Sequence, residues 1–140
     1  MNNFLKILNV SKIYNSDNGE IEAIKSISFD VNEGDFIAIV GPSGCGKSTL
    51  LSLISGLEEI TSGEIKFNKK VVNVGYMLQQ DALFPWLTVL ENTLLGISIK
   101  QRKTKKEISE VKKLLRKYGL GDYLDKYPDE LSGGMRQRVG

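Results

Sequence analysis

The sequence contains no histidine and one cysteine, Cys45. The first absence excludes catalysis and metal binding by histidine within these residues, and a lone cysteine cannot form an internal disulfide. No apolar run approaches the roughly 20 residues that span a membrane, and Met1–Lys6 lacks the apolar core of a signal peptide. A net charge of +2 is too small to indicate nucleic acid binding. These absences predict a cytoplasmic globular protein, and 140 residues suit one domain.

Residues 41–49 fit the pattern of a glycine, four variable positions and Gly-Lys-Ser. The apolar run Phe36–Val40 precedes them and predicts a buried strand, and the run Leu50–Ile54 predicts a helix. The motif consists of Gly41, Pro42, Ser43, Gly44, Cys45, Gly46, Lys47, Ser48 and Thr49. A glycine-rich backbone at a helix N-terminus directs several N–H donors at one phosphate group. We therefore predict phosphate binding, in which Lys47 contacts the terminal phosphates and Ser48 holds Mg²⁺. Cys45 suits this loop by its small size, and a redox role is the alternative.

The residues before this loop predict antiparallel strands. Phe4–Tyr14 and Glu20–Val31 alternate in polarity around the turn signal Asp17-Asn18-Gly19. Asn32-Glu33-Gly34 then turns the chain toward the loop, so the front of the protein is predicted to be a β-meander. Tyr14 ends the first strand, where its ring is either an ordinary strand side chain or a platform that stacks on a nucleotide base.

The residues after the loop predict a helix that ends at Gly56 and two further strands. Thr61-Ser62-Gly63 and Asn68-Lys69-Lys70 are turn signals, and Glu64–Phe67 between them is a short strand. Val71–Leu78 is apolar enough for a buried strand, and Gln79 follows it. A glutamine at the end of a buried strand can coordinate Mg²⁺ or orient a water molecule.

The following region predicts helices. Pro85 interrupts the apolar stretch Ala82–Leu87, which is either core or a contact surface. Capping boxes at Thr88 with Glu91 and at Thr104 with Glu107 each open a helix, the first extending to about Ile97. Between them, Lys100–Lys106 is a solvated linker or, alternatively, a segment attracted to anionic lipid. An apolar stripe on the second helix, which ends at Gly119, is predicted to be core: Ile108, Val111, Leu114, Leu115 and Tyr118.

The last residues predict a second phosphate-binding element. Ser132 is a suitable N-cap, and Gly133 and Gly134 stand in the first turn of the helix that follows. Two such elements in one chain indicate that each contacts a different nucleotide, which two copies would achieve by holding ATP head to tail between them.

The stretch Leu-Ser-Gly-Gly-Met-Arg-Gln-Arg resembles the signature motif of ABC transporter ATPase subunits, which usually have Gln where this chain has Met135. The resemblance covers the whole chain. It implies an α/β fold: a P-loop NTPase core with an N-terminal antiparallel β-meander in about residues 1–80, a helical subdomain in 81–140, and an incomplete C-terminus. It also implies that the signature residues contact ATP bound to a second subunit: Leu131, Ser132, Gly133, Gly134, Met135, Arg136 and Gln137.

The same resemblance assigns further roles. It implies that Tyr14 stacks on adenine, and that Gln79, rather than Gln80, is the Q-loop glutamine and holds Mg²⁺ together with Ser48. The stretch 81–89 resembles importers of the nitrate, sulfonate and taurine group. The implied partners are a second ATP-binding subunit, a transmembrane permease and, indirectly, a solute-binding protein, with this subunit peripheral on the inner face of the membrane.

One departure from the family pattern stands out. Family members continue past the signature to an apolar strand that ends in Asp-Glu and then to a histidine, and neither is present here. We therefore expect a fragment of an ATPase that lacks the catalytic base and does not hydrolyse ATP by itself. A soluble ABC protein acting on DNA or ribosomes is an alternative, although the long coiled coil of the chromosome type is missing. A fragment that only binds nucleotide is another alternative.

Overall fold

A computed structural model of the chain describes residues 3–17, 19–69, 72–100 and 103–140. The chain forms two compact units, Met1–Tyr76 and Met77–Gly140, which we treat separately. The first unit contains the strands β1 (Asn3–Ser16), β2 (Gly19–Asn32) and β3 (Ser62–Phe67) and the helix α1 (Lys47–Ser55). The second contains the helices α2 (Val89–Lys100), α3 (Lys105–Lys117) and α4 (Gly133–Val139), with short 3₁₀ turns at Gly121–Tyr123 and Pro128–Glu130. Within the described ranges, no helix combines the length and apolar character needed to cross a membrane.

The sheet of the first unit has the order β2-β1-β3, and both pairings are antiparallel. The predicted hairpin is confirmed, because Ser16 of β1 stands opposite Gly19 of β2. Asn18 of the predicted turn lies outside the described residues. The strand predicted at Glu64–Phe67 begins two residues earlier, at Ser62, and pairs with the other edge of β1. The central position of β1 makes it the strand against which the rest of this unit is built.

The core of the first unit lies between this sheet and α1. Leu5, Ile7 and Val10 of β1 are buried, and they pack with Ile24 of β2. The buried α1 residues Leu50 and Leu53 complete this cluster. The helix ends as predicted at Gly56, whose left-handed backbone and N–H group cap the last turn. The core therefore fixes the first residues of α1 relative to the sheet.

Two predicted strands are absent. Residues 36–40 and 72–78 are irregular, and Val71 lies outside the described residues. Phe36 and Val40 are 95% and 92% exposed, so this run is not the buried strand that its composition predicts. A strand needs a neighbouring strand to accept and donate its backbone hydrogen bonds. No described segment pairs with these two runs, and apolar composition alone cannot form a strand without that pairing.

The helices of the second unit begin where their capping signals predict. Thr88 and Glu91 form reciprocal hydrogen bonds at the start of α2, with Thr88 N–H donating to Glu91 Oε2 at 2.9 Å. Thr104 and Glu107 form the same box at the start of α3. The first helix extends to Lys100, three residues beyond the predicted end. The predicted connector 100–106 is correspondingly shorter, because residues 105 and 106 open α3; residues 101 and 102 lie outside the described residues.

The second unit has its own apolar core, formed by Val89, Leu115, Leu120, Leu131 and Val139. The predicted stripe on α3 contributes to it only in part. Leu115 is buried and Val111 packs at its edge, but Leu114 and Tyr118 are exposed. Only part of the stripe is covered because a short bundle touches this helix on a narrow face.

Candidate nucleotide-binding site

Residues 41–46 form a loop that leads directly into α1. Gly44 and Gly46 adopt positive φ angles of 78° and 92°, a region that L-amino acids with side chains rarely occupy. A Cβ atom on Gly46 would also lie 2.5 Å from the carbonyl oxygen of Ala23. Position 46 therefore admits only glycine, and the loop lies close against β2 at this point.

The Lys47 side chain folds back over the loop. Its Nζ donates to the carbonyl oxygens of Gly41 at 2.9 Å and Pro42 at 2.7 Å, and it lies 3.6 Å from Cys45 Sγ. The loop backbone thus holds the ammonium group at its own centre. A phosphate bound in this loop would meet a positive charge that is already in place.

The first turn of α1 leaves backbone donors without helical partners. The earliest of the helical bonds runs from Leu50 N–H to the Gly46 carbonyl at 2.9 Å. The N–H groups of Lys47, Ser48 and Thr49 precede it and have no acceptor within the helix. This turn contains no acidic side chain that would compete with an anion. The loop, the helix terminus and the lysine together have the positive charge and the free N–H donors that suit an anion.

Tyr14 lies on β1 next to this loop. Its hydroxyl donates to the Glu58 carboxylate, and its ring lies 4.9 Å from Lys12 Nζ. The hydrogen bond to Glu58, followed by burial, raises the pKa of Tyr14, and an interaction with the Thr49 side chain acts in the opposite direction. Thr49 is the last residue of the phosphate-loop motif, so the structure brings the ring and the loop together. The residue is 36% exposed, which leaves ring surface for a ligand.

The two predicted Mg²⁺ ligands belong to different units: Ser48 is the second residue of α1, and Gln79 follows the irregular segment 72–78. Both side chains are exposed. The described part of the chain holds no group of three or more acidic, histidine or cysteine side chains that could bind a metal ion by themselves. A hydroxyl and an amide oxygen suit a Mg²⁺ ion that receives its remaining ligands from phosphates and water. Their joint role remains a prediction.

In the second unit, four of the seven predicted signature residues line one open pocket of about 600 Å³ together with the Gln79 stretch. The lining residues are Gln79, Gln80, Asp81, Gly133, Gly134, Arg136 and Gln137. Arg136 Nε donates to Asp81 Oδ2 at 2.9 Å, and Arg136 Nη1 donates to the Leu131 carbonyl at 2.9 Å. One arginine thus ties the residues after Gln79 to the start of the signature.

Ser132 is the N-cap of α4, as predicted. Its backbone is extended, and its hydroxyl accepts from Met135 N–H at 3.4 Å. Gly133 and Gly134 form the first turn, and Met135 packs against the apolar core of this unit. The glycines therefore face the pocket side without Cβ atoms, while the methionine anchors the helix.

Three supporting contacts were not predicted from the sequence. They are the bond from the Tyr14 hydroxyl to the Glu58 carboxylate, the Asp81–Arg136 ion pair, and the bonds of the Asn92 side chain to the backbone. Asn92 Oδ1 accepts from Phe84 N–H at 2.8 Å, and its Nδ2 donates to the carbonyl of Leu87 at 2.9 Å. The first two pairs join residues more than forty positions apart, for which one sequence holds no signal. Asn92 lies one turn into a helix that follows a proline-containing segment. This position is the only local indication that its side chain holds the preceding backbone.

Comparison with known proteins agrees with this geometry. The family model described as ABC transporter matches residues 24–140. The ABC transporter ATP-binding protein YtlC of Bacillus subtilis (strain 168), described as uncharacterized, is 48% identical over 97% of this chain and 54% of its own length. The aliphatic sulfonates import ATP-binding protein SsuB of Bacillus cereus (strain ZK / E33L) is 39% identical over 96% of this chain and 55% of its own length. Other matched relatives are named for transport of bicarbonate and for import of sn-glycerol-3-phosphate.

A solved structure is also similar. It is the dimeric ATP-binding cassette MJ0796 bound to ADP and Pi, with a TM-score of 0.84 and 32% identity over 96% of this chain and 66% of that one. The chain therefore belongs to the ABC transporter family, and the predicted resemblance and α/β cassette fold are confirmed. The chain spans about half the length of the curated relatives described above.

Proposed function

We propose that this chain is the ATP-binding part of the energising subunit of an ABC importer. The observation that carries the proposal is the loop 41–46, whose Gly41 and Pro42 carbonyls hold the Lys47 ammonium, together with the interaction between Tyr14 and Thr49. In this proposal the loop and Lys47 bind the phosphates and Tyr14 stacks on adenine. Ser48 and Gln79 hold Mg²⁺, which neutralises phosphate charge when it is bound.

The test is ATP affinity of the Lys47→Ala variant, measured by calorimetry. Loss of a charge-assisted phosphate contact should weaken binding by roughly 1.5–3 kcal/mol. Lys25→Ala is the matched control, because Lys25 is an exposed lysine of the same unit whose recorded ion pair is with Glu22 at 3.8 Å. Its affinity should equal that of the parent. Equal affinity for Lys47→Ala and the parent would exclude the loop as the phosphate site.

We further propose that these 140 residues bind ATP without hydrolysing it at a meaningful rate. They contain no histidine and no acidic residue after Glu130, so the family's catalytic glutamate and histidine have no counterpart. Positioned phosphates and a held metal are insufficient without a group that orients or deprotonates water. Phosphate release by the 140-residue chain should be absent with Mg²⁺. Turnover that disappears in Lys47→Ala would mean that a base lies elsewhere in the chain.

The proposed partner at the nucleotide is a second ATP-binding subunit in head-to-tail arrangement. The Ser132 cap and the bare first turn at Gly133 and Gly134 support contact with ATP held by the other subunit. The dimeric state of the similar cassette MJ0796 is consistent with this arrangement. In the transition state these donors would stabilise phosphate charge without activating water.

The proposed second partner is a transmembrane permease, which places the subunit peripherally on the inner face of the membrane. Phe84 and Trp86 support this proposal, because they are 40% and 67% exposed and their ring centroids lie 5.1 Å apart. Asn92 holds the backbone of the Pro85 turn through bonds to Phe84 and Leu87, so the aromatic pair is presented on a fixed turn. Exposed aromatic side chains on a rigid turn are typical of protein contact sites.

Cysteine crosslinking in the complete gene product with its permease tests this surface. A cysteine at Trp86 should crosslink to a cytoplasmic permease loop, and a cysteine at Ser109 on α3 should not. Crosslinks from position 109 alone would place the contact elsewhere. The solute itself is proposed only as nitrate, a sulfonate, taurine or a similar small solute, consistent with the relationship to SsuB.

A further inference from the structure

We infer that Glu58 and Lys12 are positioning residues that hold the Tyr14 ring ready to receive the base of the nucleotide. This inference rests on the proposed function, because it concerns how the ring of the same site is oriented. Both residues lie outside the phosphate-loop motif, and the described contacts of their side chains are with Tyr14, with each other and with the Glu59 carbonyl.

The hydroxyl end of the Tyr14 ring is hydrogen-bonded to a carboxylate that also faces a lysine. The Tyr14 hydroxyl donates to Glu58 Oε2, and Lys12 Nζ lies 3.8 Å from that same oxygen. The Lys12 and Glu58 side chains are 15% and 34% exposed, so this pair is partly shielded from water. A hydrogen bond to a charged acceptor in such a setting is stronger than one between neutral groups at the surface. The ring is therefore held at its outer end as well as at Cβ.

The Lys12 ammonium lies over one face of the Tyr14 ring. Lys12 and Tyr14 are two residues apart on β1, so their side chains share one side of the sheet. The Lys12 ammonium lies 4.9 Å from the ring centroid, within the range of a cation–π interaction. Lys12 Nζ also donates to the Glu59 carbonyl at 2.8 Å, which fixes the ammonium group. A cation fixed over one face leaves the opposite face for an aromatic base.

The segment that carries Glu58 is itself hydrogen-bonded to β1. The segment that carries it is bound along β1, because Thr61 N–H donates to the Ser11 carbonyl at 2.9 Å and Ile13 N–H donates to Thr61 Oγ1 at 3.0 Å. Glu58 follows the end of α1 by three residues, so the helix that carries the phosphate loop also carries the carboxylate. The phosphate site and the support of the ring are thereby built on the same two elements. Restricting the ring before binding lowers the entropic cost of ordering it on the nucleotide.

The test compares two ligands, ATP and inorganic tripolyphosphate, in the complete gene product. Tripolyphosphate has the phosphates and lacks the base, so it reports the loop without the ring. Glu58→Ala should weaken ATP binding about two- to tenfold, the effect expected for one aromatic side chain that must be ordered on binding. Tripolyphosphate affinity should stay unchanged. Glu58→Gln retains a hydrogen-bond acceptor for the hydroxyl and should recover most of the ATP affinity.

Two further variants make the test specific. Tyr14→Phe removes only the hydroxyl, so it should resemble Glu58→Ala, and it carries the test if Glu58→Ala does not fold. The double variant Tyr14→Ala with Glu58→Ala should lose no more ATP affinity than Tyr14→Ala alone, since the carboxylate acts through the ring. Glu64→Ala is the matched control, because Glu64 pairs with Lys66 on β3 away from Tyr14. The affinities of Glu64→Ala for ATP and for tripolyphosphate should equal those of the parent.

The outcomes separate this inference from the proposed function. Failure of the parent to bind either ligand would refute the proposed function. Parent binding of ATP with an unchanged Glu58→Ala affinity would refute the positioning role. The same conclusion would follow from equal losses for ATP and tripolyphosphate, or from losses that add in the double variant.

Discussion

Two segments of the first unit, β1 and residues 36–40, differ in burial and in strand pairing. In β1, Ile7 and Val10 are fully buried, and β2 and β3 supply hydrogen-bond partners on both edges. In 36–40, Phe36 and Val40 are almost fully exposed, and no described segment pairs with this run. Residues 36–40 are all apolar, whereas β1 alternates apolar with polar residues, so the more apolar of the two segments is the one that stays exposed. Neighbouring strands that supply hydrogen bonds, more than composition, therefore decide whether an apolar run becomes a strand.

The helices of the second unit depend much less on distant partners than the strands do. An α-helix forms its backbone hydrogen bonds within one segment, so α2 and α3 need few outside partners to begin and end. Their first turns are closed by the Thr88 and Thr104 capping boxes, each within four consecutive residues. The irregular run 72–78 is more apolar than either helix but lacks such local closure. Helices with local caps can therefore be specified by a short stretch of chain, whereas strands cannot.

The largest expected effect is on the free energy of unfolding, and it distinguishes β1 from the segment 36–40. Ile7→Ala should reduce the free energy of unfolding by about 2–5 kcal/mol, because it leaves a cavity in a closed core. Val40→Ala should change it by less than about 0.5 kcal/mol, because the side chain is already exposed. Chemical denaturation followed by circular dichroism measures both. A Val40→Ala loss as large as that of Ile7→Ala would mean that residues 36–40 form a buried strand in solution.

An intermediate effect is expected for a local cap. Thr104→Ala removes the hydroxyl that accepts from Glu107 N–H at 3.2 Å, and should reduce the stability of the second unit by about 0.5–2 kcal/mol. Thr104→Ser keeps the oxygen and should retain most of that stability. Ser109→Ala, at an exposed position within the same helix, is the control and should be nearly neutral. The measurement is thermal unfolding at 222 nm; equal stability of Thr104→Ala and Thr104→Ser would contradict the role of the cap.

The smallest effect concerns pH. The backbone N–H of Thr88, followed by its side chain, lowers the pKa of Glu91 from its ordinary value of 4.5. A carboxyl with a depressed pKa in the folded state stabilises that state above its unfolded pKa, and the contribution disappears as pH falls through the folded pKa. Stability should therefore decline on acidification, and less so in Glu91→Gln, whose amide does not titrate. Unfolding midpoints measured from neutral to acidic pH check this; parallel curves for parent and variant would contradict it.

Much of the candidate site was predictable because its signals are local. The loop 41–46, the caps at Thr88, Thr104 and Ser132, and the end of α1 at Gly56 each depend on a few neighbouring residues. Glycine at position 46 is typical of the motif, and the structure adds the reason, which is the Ala23 carbonyl close beneath it. The supporting contacts were not predictable, because Glu58 and Arg136 act on residues far away in the chain.

From the sequence alone, the family, the starts of the helices and the candidate phosphate and signature turns are predicted, because these depend on motifs and on short-range steric and hydrogen-bonding rules. Only the tertiary structure decided which apolar runs became strands and which face of α3 was covered. It also showed that Tyr14 is held by Glu58 and Lys12, and that Asn92 holds the turn carrying Phe84 and Trp86. The physical reason is that burial, strand pairing and side-chain support depend on groups that folding brings together from distant positions.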